Sequence, residues 1–368
     1  MGFKCGIVGL PNVGKSTIFN ALTCAGAASE NYPFCTIDPN VGMVDVPDPR
    51  MDVILKHIIA QKVVPAGMEF IDIAGLVRGA SRGEGLGNQF LGHIRMSDAI
   101  AHVVRCFDDD DIIHVEGGVD PLRDIDIIQS ELIMSDHQTL DKTMTRLRKL
   151  AKSGLKNSVA ICEAFEGLEA HMQAFKPARA YELPDVEGVA EAYRDMHLLT
   201  ARKVLYVCNV EEELADGSQD NAYTKIVKDF AAKTGDEVVV LSGKIEAELS
   251  DLEDDEKKDM IDALGLEEPG LNRLIRKGYQ LLGLETYFTA GEKEVRAWTV
   301  RKGCSAPAAA GVIHSDFERG FICAEVYTID ALDKAKSKAA LKEQGLLRIE
   351  GKDYTVQDGD VMEFRFNV

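Results

Sequence analysis

Gly9-Leu10-Pro11-Asn12-Val13-Gly14-Lys15-Ser16 is a complete G-x-x-x-x-G-K-[ST] loop, entered from the apolar run 5–8 and left through the helix-like run 17–23. Gly9 and Gly14 let main-chain N–H groups crowd around the α- and β-phosphates of a nucleoside triphosphate. The helix that follows adds the positive end of its dipole. Lys15 can then reach the β- and γ-phosphates, and Ser16 offers a hydroxyl to Mg²⁺, which takes few protein ligands and keeps substrate oxygens and waters for the rest. Val13 and Thr17, inside and just beyond the loop, join the nucleotide-binding set. The fold expected around such a loop is α/β, a doubly wound sheet.

A carboxylate belongs on a neighbouring strand of that sheet, beside the metal. Asp72-Ile73-Ala74-Gly75 follows the strand-like run 68–71 and supplies it, with Asp72 expected to act through a water and the Gly75 N–H to sense the γ-phosphate. Between the two motifs, the Pro-containing stretch 31–37 carries Thr36. Its hydroxyl is placed to reach Mg²⁺ only when the γ-phosphate is present, as in a switch loop; the other reading is a threonine entering a strand. Gly79, Gly83, Gly85 and Gly87 then crowd residues 79–87. A backbone so rich in glycine is costly to hold in one conformation, so this second switch is expected to order on nucleotide or partner binding.

The runs 2–36, 72–90 and 294–368 together resemble the YchF family of Obg-related ATPases, in the translation-factor-related class of P-loop GTPases, over essentially the whole chain. Three departures from an ordinary GTPase accompany the resemblance. The first concerns the base. Where GTPases end a strand in Asn-Lys-x-Asp, whose carboxylate accepts from guanine's ring N–H and amino group, the strand-like run 203–208 ends in Asn209-Val210-Glu211-Glu212. Without the paired acceptor the site stops favouring guanine. The resemblance implies the same outcome, ATP preferred over GTP. The alternative is that Asn209 only caps the strand and the base is read elsewhere. Ser242-Gly243-Lys244 resembles the loop that backs the base, with Gly in place of the usual Ala.

The second departure is Leu76, which stands where many GTPases carry a water-positioning glutamine and cannot hydrogen-bond. The resemblance implies that His114 takes over, by proton transfer or by holding the water. Read without the family, a histidine beside the four aspartates 108–111 is a solvated loop residue. The third is Asn12. The resemblance implies a cage for a monovalent cation, K⁺, standing in for an arginine finger; a loop-bracing asparagine is the other reading. Arg78 and Arg82 are rival sources of positive charge.

With 368 residues and 45% hydrophobic content, the chain can build two or three domains with proper cores. No apolar stretch reaches membrane-spanning length, and the N-terminus opens directly into the first strand, so neither export nor insertion is expected. The eight cysteines include no C-x-x-C pair and read as small buried hydrophobes in a reducing cytosol. A net charge of −19 argues against DNA or nonspecific nucleic-acid binding by the chain as a whole. Residues 281–368 carry 12 Lys+Arg against 14 Asp+Glu, so any RNA contact is expected in that near-neutral part or on a local basic face.

Residues 129–200 change to long helical runs. Leu140, Met144, Leu147 and Ala151 make one apolar seam, and Leu155, Val159, Cys162, Phe165, Met172 and Phe175 another. The pair reads as an antiparallel coiled-coil hairpin, with Arg146, Arg148, Lys149, Lys152 and Lys156 near its tip. That tip is either an RNA contact or an ordinary solvated face. Beyond 281, the β-like runs 295–300, 322–328 and 361–366 and a helical run 333–344 resemble a TGS domain, a β-grasp-like module shared with threonyl-tRNA synthetases and SpoT-type enzymes. His314 within it reads as structural. The expected division is therefore 1–128 with 201–280 as an OBG-type nucleotide-binding domain, 129–200 as a helical insertion and 281–368 as a TGS domain. The expected activity is slow Mg²⁺-dependent ATP hydrolysis in the cytoplasm. The resemblance implies the ribosome, through its large subunit, or RNA as partner of the TGS and helical parts. A conventional GTPase and a nucleotide-gated scaffold with incidental hydrolysis remain open.

Overall fold

The first strand, Lys4–Val8, is buried from Cys5 onward, as an uninterrupted apolar run covered on both faces must be. A computed structural model describes residues 3–26, 40–73, 86–153 and 157–367. Among them the strands, numbered along the chain, are β1 (Lys4–Val8), β2 (Val41–Asp45), β3 (Lys62–Val64), β4 (Gly67–Asp72), β5 (Ala99–Arg105), β6 (Lys203–Asn209), β7 (Glu237–Leu241), β8 (Leu284–Ala290), β9 (Glu294–Arg301), β10 (Phe321–Thr328), β11 (Arg348–Glu350) and β12 (Asp360–Phe366). The chain divides into two compact units: Met1–Ala25 with Ile37–Gly42 and Glu69–Gly278 form one, and Met43–Met68 groups with Tyr279–Val368 in the other.

The first sheet has the order β2-β4-β1-β5-β6-β7, with β4, β1, β5, β6 and β7 pairing in parallel. The chain leaves β1 to one side for β4 and then to the other for β5. The end of β1 is thus the point where the strand order reverses, where α/β sheets bind ligands. Parallel pairing also brings the C-terminal ends of β1, β4, β6 and β7 to one edge. The phosphate loop, Asp72, Asn209 and Ser242 all stand there.

The helix Pro121–Lys152 starts at Asp120, whose carboxylate accepts from the Arg123 N–H, with proline in the first turn. It begins eight residues before the boundary expected from sequence, inside the nucleotide-binding part. Its Leu140, Met144 and Leu147 are buried with Cys162, Phe165, Leu168 and Met172 of the returning helix Ser158–Gln173. Each such side chain contributes roughly 1.5–3 kcal/mol by burial. Val159 and Phe175, assigned to the same seam by spacing, are exposed. Phe175 lies past the helix end in a left-handed conformation, and Val159 sits in the first turn. The return to β6 is pinned by Asp136, which accepts from the N–H groups of Leu199 and Thr200 and from the Thr200 hydroxyl, each at 2.7 Å.

The second sheet has the order β11-β10-β12-β8-β9-β3. β3 comes from the segment between the two switch motifs and pairs in parallel with β9, from Lys62 opposite Glu294 to Val64 opposite Arg296. Residues 43–68, read from sequence as part of the nucleotide-binding stretch, therefore pack with the C-terminal unit. The single helical run expected over 333–344 is two helices, Ile329–Ala335 and Lys338–Glu343. Lys336 takes φ 65° between them, and the Ser337 hydroxyl caps the second. His314 is structural here: its Nδ1 accepts from the Asp316 N–H at 3.1 Å.

Candidate nucleotide site

The phosphate loop needs two left-handed residues, and it places them at Asn12, φ 64°, and Gly14, φ 91°. A Cβ on Gly14 would lie 2.2 Å from the Asn209 amide nitrogen, and one on Gly9 would lie 2.9 Å from the Val103 carbonyl. Backbone thus approaches backbone and amide too closely for any side chain. Lys15 opens the helix Lys15–Gly26, is buried, and is ion-paired with Asp72 at the end of β4. A triphosphate would compete with Asp72 for that ammonium. Ser16 and Thr17 are exposed in the first turn. Ser16 and Asp72 present hard oxygen donors on adjoining elements, the class Mg²⁺ prefers.

Asn209 joins the phosphate loop to the loop after β7. Its amide NH₂ donates to the Val13 carbonyl at 3.0 Å, and its oxygen accepts from the Gly243 N–H at 2.8 Å. Both ends of the side chain are committed to main chain. Val210 is buried, its N–H bonded to the Leu241 carbonyl at 3.0 Å, and Ser242 is buried at the head of the helix Gly243–Ser250. Glu212 accepts from the Lys244 ammonium at 2.5 Å across the mouth of these loops. That hydrogen bond holds Lys244 above the usual lysine range.

His114 lies in the loop between β5 and the helix Pro121–Lys152, and it is buried. Its Nε2 meets Asp124 Oδ2 at 2.9 Å, while Nδ1 accepts from the Glu116 N–H at 3.1 Å. The loop is tied to the phosphate loop one residue earlier, where the Asn12 NH₂ donates to the Ile113 carbonyl at 3.1 Å. Thr36, Gly75, Leu76, Arg78 and Arg82 lie outside the described residues. Among the described residues no group of three or more His, Cys, Asp or Glu could hold a metal ion, and no helix is long and apolar enough to cross a membrane. Cys5, Cys106, Cys162 and Cys208 are buried and free; Cys24 is exposed.

Residues 4–147 match the family model described as a 50S ribosome-binding GTPase, and residues 284–367 match the C-terminal model of YchF GTPases, described as a protein of unknown function (DUF933). The chain is 53% identical over 369 residues to the ribosome-binding ATPase YchF of Bacillus subtilis, with 100% of both covered. It is 51% identical over 368 residues to that of Escherichia coli O157:H7, again covering 100% of each. The solved structure of the Schizosaccharomyces pombe YchF GTPase matches with a TM-score of 0.87 at 38% identity, covering 99% of this chain and 98% of that one. The chain belongs to the YchF family.

Three residues of this YchF family member shape the site through contacts that no motif announces. Arg105, fully buried at the end of β5, donates to the carbonyls of Phe107, Asp109 and Ile112 at 2.9–3.1 Å and so folds the loop that bears His114. A charged residue closing an apolar strand was the available signal. Asp124, in the first turn of the long helix, anchors His114. Lys244 pairs with Glu212 across the mouth of the loops after β6 and β7. The partners of these last two are not legible in sequence, because they lie 10 and 32 residues away.

Proposed function

We propose that this chain is a Mg²⁺-dependent P-loop ATPase that hydrolyses ATP, and GTP more weakly, to ADP and phosphate as a nucleotide-dependent switch on the ribosome. The supporting observation is Lys15 at a helix N-terminus facing Asp72, in a loop that Asn209 ties to the base-facing loop after β7. In this reading the N–H groups of the loop from Gly9 to Thr17 hold the phosphates, and Lys15 leaves Asp72 to neutralise the β- and γ-oxygens. Water attacks the γ-phosphorus as the bond to the β,γ-bridging oxygen breaks, and His114 orients that water or takes its proton. Ser16, Thr36 and Asp72, the last through a water, would hold Mg²⁺, which neutralises charge on the β- and γ-phosphates when bound. Among the described residues the Asn12 side chain bonds through its NH₂ alone, to Ile113, and its oxygen would serve a monovalent cation such as K⁺. Gly75 senses the γ-phosphate, and Val210, Glu212 and Ser242 border the base.

The relatives named as ribosome-binding ATPases and the 50S description of the N-terminal model support a ribosomal partner, on the large subunit, in the cytoplasm. The helical hairpin and the TGS-like C-terminal part are the surfaces assigned to it. A conventional GTPase is the second reading, favoured by the name of the S. pombe relative. Calorimetric titration with ATP and GTP separates the two, and cosedimentation with ribosomes tests the partner. Tighter GTP than ATP binding would reverse the assignment.

A further inference from the structure

We infer that Asp124 is a brake on hydrolysis, a positioning residue that holds the His114 ring away from the attacking water. The inference rests on the reading of His114 as the residue that handles that water. Because Nδ1 accepts from the Glu116 N–H, the ring proton sits on Nε2 and is donated to Asp124. Both ring nitrogens are therefore occupied, and neither is free for a water. The holding group is itself fixed. Asp124 Oδ1 accepts from Arg123 Nε and Nη2 at 3.2 and 2.9 Å, and Arg123 is anchored further on the carbonyls of Glu116 and Gly118. The His114 and Asp124 side chains are 4% and 2% exposed, so this charge-assisted bond is shielded from water and strong. The preceding residue faces the other way: Ile113 is 78% exposed, and its carbonyl takes the Asn12 amide of the phosphate loop. The loop thus touches the phosphate loop while its histidine is turned into the protein. Turnover requires the His114–Asp124 bond to open.

Asp124→Ala in the full chain should raise kcat for ATP about tenfold, the factor by which loss of one charge-assisted hydrogen bond shifts a two-state balance. The dissociation constant for ATP should stay within about twofold, because Asp124 meets no group of the phosphate loop. The gain should vanish in Asp124→Ala/His114→Ala. Asp124→Asn, which keeps an acceptor of the same shape, should give a smaller gain and serves if the alanine variant folds poorly. In the unsubstituted chain, imidazole ¹⁵N shifts should report Nδ1 as the unprotonated nitrogen of His114. Slower or unchanged turnover in a folded Asp124 variant overturns the brake, as does a ring protonated on Nδ1. Wild-type turnover in His114→Ala is a separate result, which overturns the role of His114 itself.

Discussion

His57 and Asp333, 276 residues apart in sequence, are joined by a 2.7 Å hydrogen bond between imidazole Nε2 and carboxylate Oδ1. Arg50 repeats the connection, bound to Asp48 at 2.7 Å and to Asp358 at 2.8 Å. With β3 alongside β9, these contacts make residues 43–68 part of the second sheet's unit, although they lie in the chain between the two switch motifs.

A chain ending at residue 280 should therefore not be a clean truncation. It leaves β3 without β9 and Arg50 without Asp358. Limited proteolysis is expected to cut within 43–68 at a dose the full chain survives. Equal protection of both chains would mean that this segment is held by something other than the C-terminal sheet.

Lys15→Ala should weaken ATP binding by about 100-fold or more, since a hydrogen bond between charged groups contributes about 1.5–3 kcal/mol and the phosphates lose their nearest cation as well. Calorimetry measures it directly. ATP affinity near that of the unsubstituted chain would remove the phosphate loop from the site.

Gly14→Ala tests the backbone rather than the charge. The new Cβ would collide with the Asn209 amide from a left-handed φ of 91°, so both the loop and its tie to Val13 must shift. A loss of about 1–3 kcal/mol in stability is expected, on the scale of a strained backbone position plus a broken buried hydrogen bond. ATP affinity should fall with it. An unfolding midpoint unchanged from the parent would contradict this geometry.

Replacing Val210 by Lys and Glu212 by Asp together should raise GTP affinity relative to ATP, because it rebuilds the paired acceptor for guanine. Lys244→Met should shift the preference the same way, more weakly, by freeing Glu212 from its ion pair. Competition binding with both nucleotides provides the ratio; if it stays fixed in both variants, the base is read by main-chain groups.

His102 lies in the middle of β5, beside a small cavity it lines with Gln129, Arg179, Thr200 and Tyr206. Burial, aided by the Arg179 charge, pushes its pKa down to about 3 from an ordinary 6.5. Between those values the unfolded chain binds a proton that the folded chain does not, so His102 costs stability progressively as pH falls through that window and nothing above it. Relative to His102→Phe, the unsubstituted protein should lose about 1.4 kcal/mol per pH unit there. Denaturant unfolding at several pH values measures the difference, which is flat if His102 titrates like an exposed histidine.

The nucleotide-binding edge was legible because its residues are tied to a loop whose spacing has few other uses, and the strands of the parallel sheet are apolar runs. The helical pair was legible for the same reason, through its seam at Leu140, Met144 and Leu147. Short strands were not. β3 and β11 are three residues each, and pairing with β9 and β10 defines them, which no local pattern reveals. Sequence separation hid the side-chain ties as well. Asn209 could be read as a base contact or a cap, but its use as a staple between two loops depends on where Val13 and Gly243 arrive in space. His114 could be placed in a loop, but the direction of its ring depends on Asp124 on the next element.

The helix Pro121–Lys152 runs unbroken for 32 residues, from the turn that holds His114 to the end that carries Lys149 and Lys152. At 1.5 Å per residue it is a rod of about 48 Å, and Asp136, halfway along it, bonds Leu199 and Thr200 and so fixes the half that bears Asp124. Lys152 lies beyond that tie by about 24 Å along the helix axis, on the part that packs against the returning helix. The rod's length thus keeps its basic end well apart from the turn that holds His114, so Lys149 and Lys152 can be exchanged without disturbing that turn.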